Sequence, residues 1–213
     1  MKKVIYMTLA DYKNIPITVE ALQTAYPNIK SIHSKISSLE DNDKIIRLKR
    51  GLYIYSPKDA GRHISNGILA NHIYGPSYIS RETALRYYGL IPEKVYMIRS
   101  MATKHSRIFE NKLGTFEYTE CGKDYFHIGI TQVVENEDNC FLIATKEKAL
   151  CDTICFTKGL ELRFQKDVIN YLENDIRFDM DEFFKMDITI FEECLKVCKK
   201  KNTINNIIKI LSK

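Results

Sequence analysis

Lys30, Ser31, His33, Ser34, Lys35 and Ser38, followed by Arg47, Lys49 and Arg50, are the side chains whose types and spacing point to chemistry in this chain. That chemistry is anion recognition. No carboxylate stands between Lys30 and Leu39; acids arrive only at Glu40, Asp41 and Asp43. Lysine and arginine placed this way neutralise phosphates and release counterions, giving an affinity that falls steeply with salt. Ser31, His33 and Ser34 are donors of modest size that suit base edges or backbone, and residue type alone does not sort one role from the other. Lys35, Lys49 and Arg50 suit phosphate. The competing reading is a solvated charged face on a small protein-interaction module.

The charge balance of the whole chain agrees with the local group. The formal net charge of 213 residues is +5, and all of it lies in residues 1–58, which hold ten Lys/Arg against five acids. The remaining residues carry equal numbers of basic and acidic groups. A basic module on a neutral body separates a part that meets a polyanion from a part with another task.

The elements that must position these side chains follow from pattern. Val4 to Tyr12 is expected as a short first helix. Pro16 breaks the chain, and Thr18 stands as an N-cap for a second helix that ends at Pro27-Asn28. In the third segment Ile29, Ile32, Ile36 and Leu39 fall on one stripe, so the donors share the opposite face. The run Lys44 to Tyr55 contains two β-prone stretches around Lys49-Arg50-Gly51, a hairpin with a cationic tip. Three helices and a basic hairpin are the order of a winged helix-turn-helix, whose third helix enters the major groove while the wing touches flanking backbone.

Ser56-Pro57-Lys58 marks a boundary, so residues 1–58 are expected as a DNA-binding domain and 59–213 as a C-terminal domain, with 59–61 as linker. The C-terminal part is expected to begin with helices at Arg62 to Tyr74 and Ser80 to Tyr88. Strands follow at Val95 to Met101, Thr115 to Tyr118, Phe126 to Ile130 and Cys140 to Ala144. Its last third is helical in pattern: Lys146 to Phe156, Phe164 to Glu173, Asp181 to Lys185, Ile190 to Lys199 and Thr203 to Leu211. The fold class expected is α+β: an N-terminal winged helix-turn-helix, then a mixed α/β domain with a mainly antiparallel sheet and a helical C-terminus.

Other chemistries find little support. Glu110-Asn111-Lys112 has the E-x-K form of some metal-dependent nucleases, yet no Asp lies between Asp59 and Glu110 to complete a metal pair. His63, His72, His105 and His127 show no nucleophile or metal pattern, and the nine glycines form no phosphate-cradling loop. No catalytic residue, metal or cofactor is expected. The cysteine pairs Cys151/Cys155 and Cys194/Cys198 each share a helix face, without the tighter spacing or histidines of a zinc site, and read as reduced core thiols. Lys199-Lys200-Lys201 reads as a solvated helix end at a carbonyl pole. No apolar run approaches a membrane span and no signal peptide is visible, so a cytoplasmic protein is expected.

The stretch Pro76-Ser77-Tyr78-Ile79-Ser80-Arg81-Glu82-Thr83-Ala84-Leu85-Arg86-Tyr87-Tyr88-Gly89-Leu90-Ile91-Pro92-Glu93 resembles the AbiEi family. Two further stretches, Arg107 to Phe116 and Ala144 to Asp152, are similar as well, as is the hairpin ending Arg50-Gly51-Leu52-Tyr53. AbiEi proteins are antitoxins and transcriptional regulators of type IV toxin–antitoxin systems that act in abortive infection, a phage defence. The resemblance implies a winged helix that binds promoter inverted repeats, a C-terminal domain that opposes a nucleotidyltransferase-like toxin without needing a stable complex with it, and no metal or cofactor. It covers residues from about 15 to 160. A protein-interaction adaptor without specific DNA binding is the alternative.

Overall fold

The computed structural model describes residues 8–12, 14–61, 64–93, 96–136 and 139–213. The first four residues of the expected first helix, 4–7, lie outside them; the rest ends in a single 3-10 turn, Leu9–Tyr12. Strand β1 (Ile17–Thr18) passes directly into helix α1 (Val19–Ala25), with the Thr18 hydroxyl accepting from the Ala21 amide at 3.3 Å as an N-cap. Helix α2 spans Ile32–Asp41, later than the apolar stripe suggested, because Ser31 caps it and leaves Ile29 and Lys30 in the preceding turn. Strands β2 (Ile45–Lys49) and β3 (Leu52–Tyr55) make the hairpin, and Gly51 at its tip has φ +79°, a conformation that side-chain-bearing residues rarely adopt. The sheet order is β1-β3-β2, all antiparallel. The two-residue β1 was not foreseen: Ile17 and Thr18 are too short a run to show alternation.

The hairpin has a hydrophobic core on each side. Ile45 and Tyr53 join Ile17, Leu22, Ile36 and Leu39 in a small core under α1 and α2. Leu48, Leu52 and Ile54 instead belong to the large core of the rest of the chain. Period-2 alternation along β3 sends neighbouring side chains to opposite cores. The linker expected at 59–61 overlaps helix α3 (Pro57–Ala60), which ends at Gly61.

Helix α4 (Asn66–Ile73) is followed by strand β4 (Ser77–Ile79), helix α5 (Arg81–Tyr87), strands β5 (Met97–Ala102), β6 (Arg107–Asn111) and β7 (Gly114–Glu120), and helix α6 (Lys123–Phe126). Strands β8 (Ile130–Asn136) and β9 (Asn139–Ala144) lead into α7 (Lys146–Phe156). Helix α8 (Gln165–Asn170) runs on into a π turn at Tyr171–Asp175; α9 (Met180–Phe183), α10 (Ile188–Val197) and α11 (Lys201–Leu211) complete the described chain. The α+β class holds. The six-stranded sheet, order β6-β7-β5-β4-β9-β8, is mixed, with three of its five pairings antiparallel as expected, while β5 runs parallel to β7 and β4 parallel to β9. The strand expected at Phe126 to Ile130 is instead a helical end and a turn, with the strand starting at Ile130.

Alternation along β4 places helices on both faces. The Ser77 hydroxyl donates to the Ala70 carbonyl of α4, whereas the adjacent Tyr78 hydroxyl donates to Asp152 of α7 on the opposite face. Gly67 explains how closely α4 lies on β9: a Cβ there would come within 2.4 Å of the Phe141 ring.

Candidate nucleic-acid interface

Helix α2 turns Ile36 and Leu39 into the small core and leaves His33, Ser34, Ser37 and Ser38 exposed. Its first turn contains no acidic residue, so the positive pole of the helix faces outward without an internal counter-charge. The Ser31 hydroxyl accepts from the Ser34 amide at 3.3 Å and from the Ser34 hydroxyl at 3.1 Å. Ser31 is therefore a cap as well as an exposed donor. Lys30 is exposed in the turn ahead of the helix, not on its face. Lys35 is half-buried, its ammonium 4.8 Å from the centre of the Tyr26 ring, an arrangement that orients it from α2 towards the end of α1. Ser37 was missed by the sequence reading although it is as exposed as Ser34 and Ser38; its hydroxyl donates to the His33 carbonyl at 3.2 Å.

The hairpin cations separate into three situations. Arg50 sits exposed at the tip beside Gly51. Arg47 is exposed too, but its guanidinium grips Glu40 through two hydrogen bonds of 3.0 and 2.6 Å and lies 5.6 Å from the Tyr53 ring centre. Those bonds to Glu40 raise the Arg47 pKa above its usual value, and they tie the end of α2 to the hairpin.

Lys49 departs from the expectation. It is half-buried and its ammonium donates to the Ile73 carbonyl at the end of α4, close to the Phe109 ring. A bulge between Arg47 and Lys49 is the physical reason. Strict alternation would put both on one face, but the extra residue turns Lys49 towards the body, where Leu48 also packs. Burial, with Lys104 and Arg107 nearby, lowers the Lys49 pKa. An ammonium over the carbonyl pole of α4 supplies a donor that the helix end lacks. Replacing Lys49 by Met is expected to lower stability by about 1–2 kcal/mol, by leaving that carbonyl without its charged partner. Urea unfolding measures this, and a loss below about 0.3 kcal/mol contradicts the capping role.

The edge strand β6 receives the hairpin. Asn111 donates to the Leu48 carbonyl at 3.2 Å, and Lys112 pairs with Asp43 at 3.1 Å, holding the Asp43 carboxylate below its usual pKa. Two of the three residues in the E-x-K stretch thus join the hairpin region to the body. Among the described residues no group of three His, Cys, Asp or Glu is placed to hold a metal ion, and no helix is long and apolar enough to cross a membrane.

The motif stretches at 76–93 and 144–152 meet in the interior. Asp152, fully buried, accepts on Oδ2 from the Tyr78 hydroxyl at 3.0 Å and the Ser80 hydroxyl at 2.5 Å. Its Oδ1 faces the Lys148 ammonium at 3.5 Å, and that ammonium donates to the Tyr125 carbonyl at 2.8 Å. Burial, reinforced by Asp152, pushes the Tyr78 hydroxyl well above the usual phenol range. Tyr78, Ser80, Lys148 and Asp152 are sealed from solvent, so the network joins α7 to β4 inside the core. Ser80, expected to cap α5, holds the N-cap position without a capping bond because its hydroxyl goes to Asp152.

Lys200 differs from the solvated lysine expected. Its ammonium donates to the carbonyls of Ile154, Thr157 and Leu160 at 3.0, 2.8 and 2.7 Å, closing the carbonyl end of α7 from the segment between α10 and α11. Compared with known proteins, the chain matches no family model and no curated protein.

Proposed function

We propose that this chain is a sequence-specific DNA-binding autorepressor that serves as the antitoxin of a type IV toxin–antitoxin system. The observation that carries the DNA half is the outer face of α2. It presents His33, Ser34, Ser37 and Ser38 with no carboxylate before Glu40, on a helix whose apolar side is anchored in the small core. The order β1, α1, α2, β2, β3 with sheet order β1-β3-β2 supports reading this part as a winged helix. In that arrangement α2 enters the major groove by its N-terminal turn, and the hairpin tip follows the flanking backbone. His33 and Ser34 then face base edges, Ser31 holds the helix start, and Lys30, Lys35 and Arg50 meet phosphates. Arg47 sets the angle between α2 and the hairpin through Glu40 and Tyr53. Lys49 is withdrawn from the phosphate set.

The antitoxin half rests on the resemblance to the AbiEi family in residues 76–93, 107–116 and 144–152. In this reading the operator is a pair of inverted repeats in the chain's own promoter, the opposing partner is a nucleotidyltransferase-like toxin, and the location is cytoplasmic.

A gel-shift titration against the native upstream region and a scrambled duplex, at two salt concentrations, tests the DNA half. Preference for the native region with affinity falling as salt rises is the expected result; absence of duplex binding at either salt favours the adaptor. In the same assay Arg50→Ala is expected to weaken both duplexes alike and to reduce the slope of log affinity against log salt by about 0.9. An unchanged slope removes Arg50 from the phosphate contacts. Co-expression with a nucleotidyltransferase-like toxin encoded beside this chain tests the antitoxin half: growth is expected to return only when this chain is present, and absence of any such gene removes it.

A further inference from the structure

Helices α7 and α10 carry four cysteines in two facing pairs. Cys151 and Cys194 lie wholly inside the core, both fully buried. One turn further, Cys155 of α7 and Cys198, the C-cap of α10, both lie at the wall of a cavity of about 1020 Å³, which Tyr125, Thr157, Lys199 and Lys200 also line. The same chemistry is therefore present twice, once sealed and once open to small solutes.

The outer pair is also electronically uneven. The neighbouring Cys155 brings the Cys198 pKa down to about 7, helped by the Lys200 amide and the Lys201 charge, whereas Cys198 and burial push Cys155 up. The direction of these shifts makes Cys198 the better nucleophile of the two. The three bonds from Lys200 to the end of α7 hold the segment just after Cys198 against the turn just after Cys155. Cys155 and Cys198 are thereby held on the wall of the same cavity.

We propose that Cys155 and Cys198 are a dithiol modification site that hydrogen peroxide converts to an intramolecular disulfide, with Cys198 attacking and Cys155 resolving. The Cys198 thiolate attacks one peroxide oxygen; the S–O bond forms, the O–O bond breaks, and hydroxide leaves and is protonated to water. The Cys155 sulfur then attacks the Cys198 sulfenic acid, losing its proton. The S–S bond forms, the S–O bond breaks, and the second oxygen leaves as water. Two thiols are oxidised by two electrons and one peroxide is reduced to two waters. A small thiol reductant reverses the modification. This site is independent of the DNA-binding reading.

The test is peroxide treatment of the full chain, alkylation of remaining thiols, and mass mapping of peptides without reduction. The expected product joins the Cys155 and Cys198 peptides, two hydrogens lighter than the free pair, with Cys151 and Cys194 recovered alkylated after denaturation. In Cys155→Ser, Cys198 is expected to take a sulfenic-acid probe at least about tenfold faster than the exposed lone thiol Cys140. Two results overturn the proposal: Cys155 and Cys198 recovered as thiols under conditions that oxidise Cys140, or the buried pair linking as readily as the outer one. The mapping of the unmodified sequence stands whether or not the variant folds.

Discussion

Asp152→Ala is expected to destabilise the protein by about 3–5 kcal/mol, the size of the loss when one partner of a buried ion pair is removed. The carboxylate is fully buried, and its Oδ2 is the acceptor for both the Tyr78 and Ser80 hydroxyls. Removing it leaves two hydroxyls without acceptors and the Lys148 ammonium without a counter-charge, all at fully buried positions. Most domains have only about 5–15 kcal/mol of stability in total, so the variant is expected to lose much of its folded population at 37 °C. Denaturant unfolding measures the loss. A double-mutant cycle identifies its source. Lys148→Met combined with Asp152→Asn keeps an amide oxygen for the two hydroxyls and removes both charges. It is expected to cost at least about 1 kcal/mol less than the sum of the single variants. Additivity would mean that Lys148 and Asp152 do not stabilise one another. DNA binding lost in Asp152→Ala should therefore be credited to unfolding, because α7 is far from the α2 face in the sequence and belongs to the other hydrophobic core.

Ser34→Glu is expected to separate binding from folding. Ser34 is exposed and stands at the third residue of α2, three positions after the Ser31 cap. A glutamate there completes a capping box, able to accept from the Ser31 amide while Ser31 still accepts from the amide of residue 34. It also puts a negative charge on the positive pole of the helix. Stability is expected to stay level or rise by a few tenths of a kcal/mol. DNA affinity is expected to fall by about 100-fold or more, since the same carboxylate enters the groove face and meets the phosphate field with a charge of the wrong sign. Equilibrium unfolding and a binding titration on one preparation read both effects. Loss of stability would show that the turn does not accept the box. Full affinity in a stable Ser34→Glu protein would remove α2 from the DNA interface.

The positions of several elements were legible because their signals are local. Helix α7 runs over Lys146–Phe156, the span its pattern predicts, and Thr18 caps α1 as its position implies. The hairpin tip is at Gly51, where a positive φ is needed. Other elements were hidden for identifiable reasons. Strand β6 carries Arg107, Glu110 and Asn111 among its five residues, a composition that reads as loop; pairing with β7 makes it a strand. Strand β4 has only three residues and is enclosed on both faces, so it shows no alternation.

By itself, the sequence determined which residues are cationic, where the charge concentrates and which side of α2 is apolar, because each follows from residue type and helical period. Tertiary structure alone decided which of those cations remain available. A single extra residue in β2 turns Lys49 into the body, and the approach of Glu40 occupies Arg47. It also decided that the hydroxyls of Tyr78 and Ser80 serve Asp152, and that Cys155 meets Cys198. Those pairings join residues more than 40 positions apart, and no local period encodes a contact made by packing one helix or strand on another.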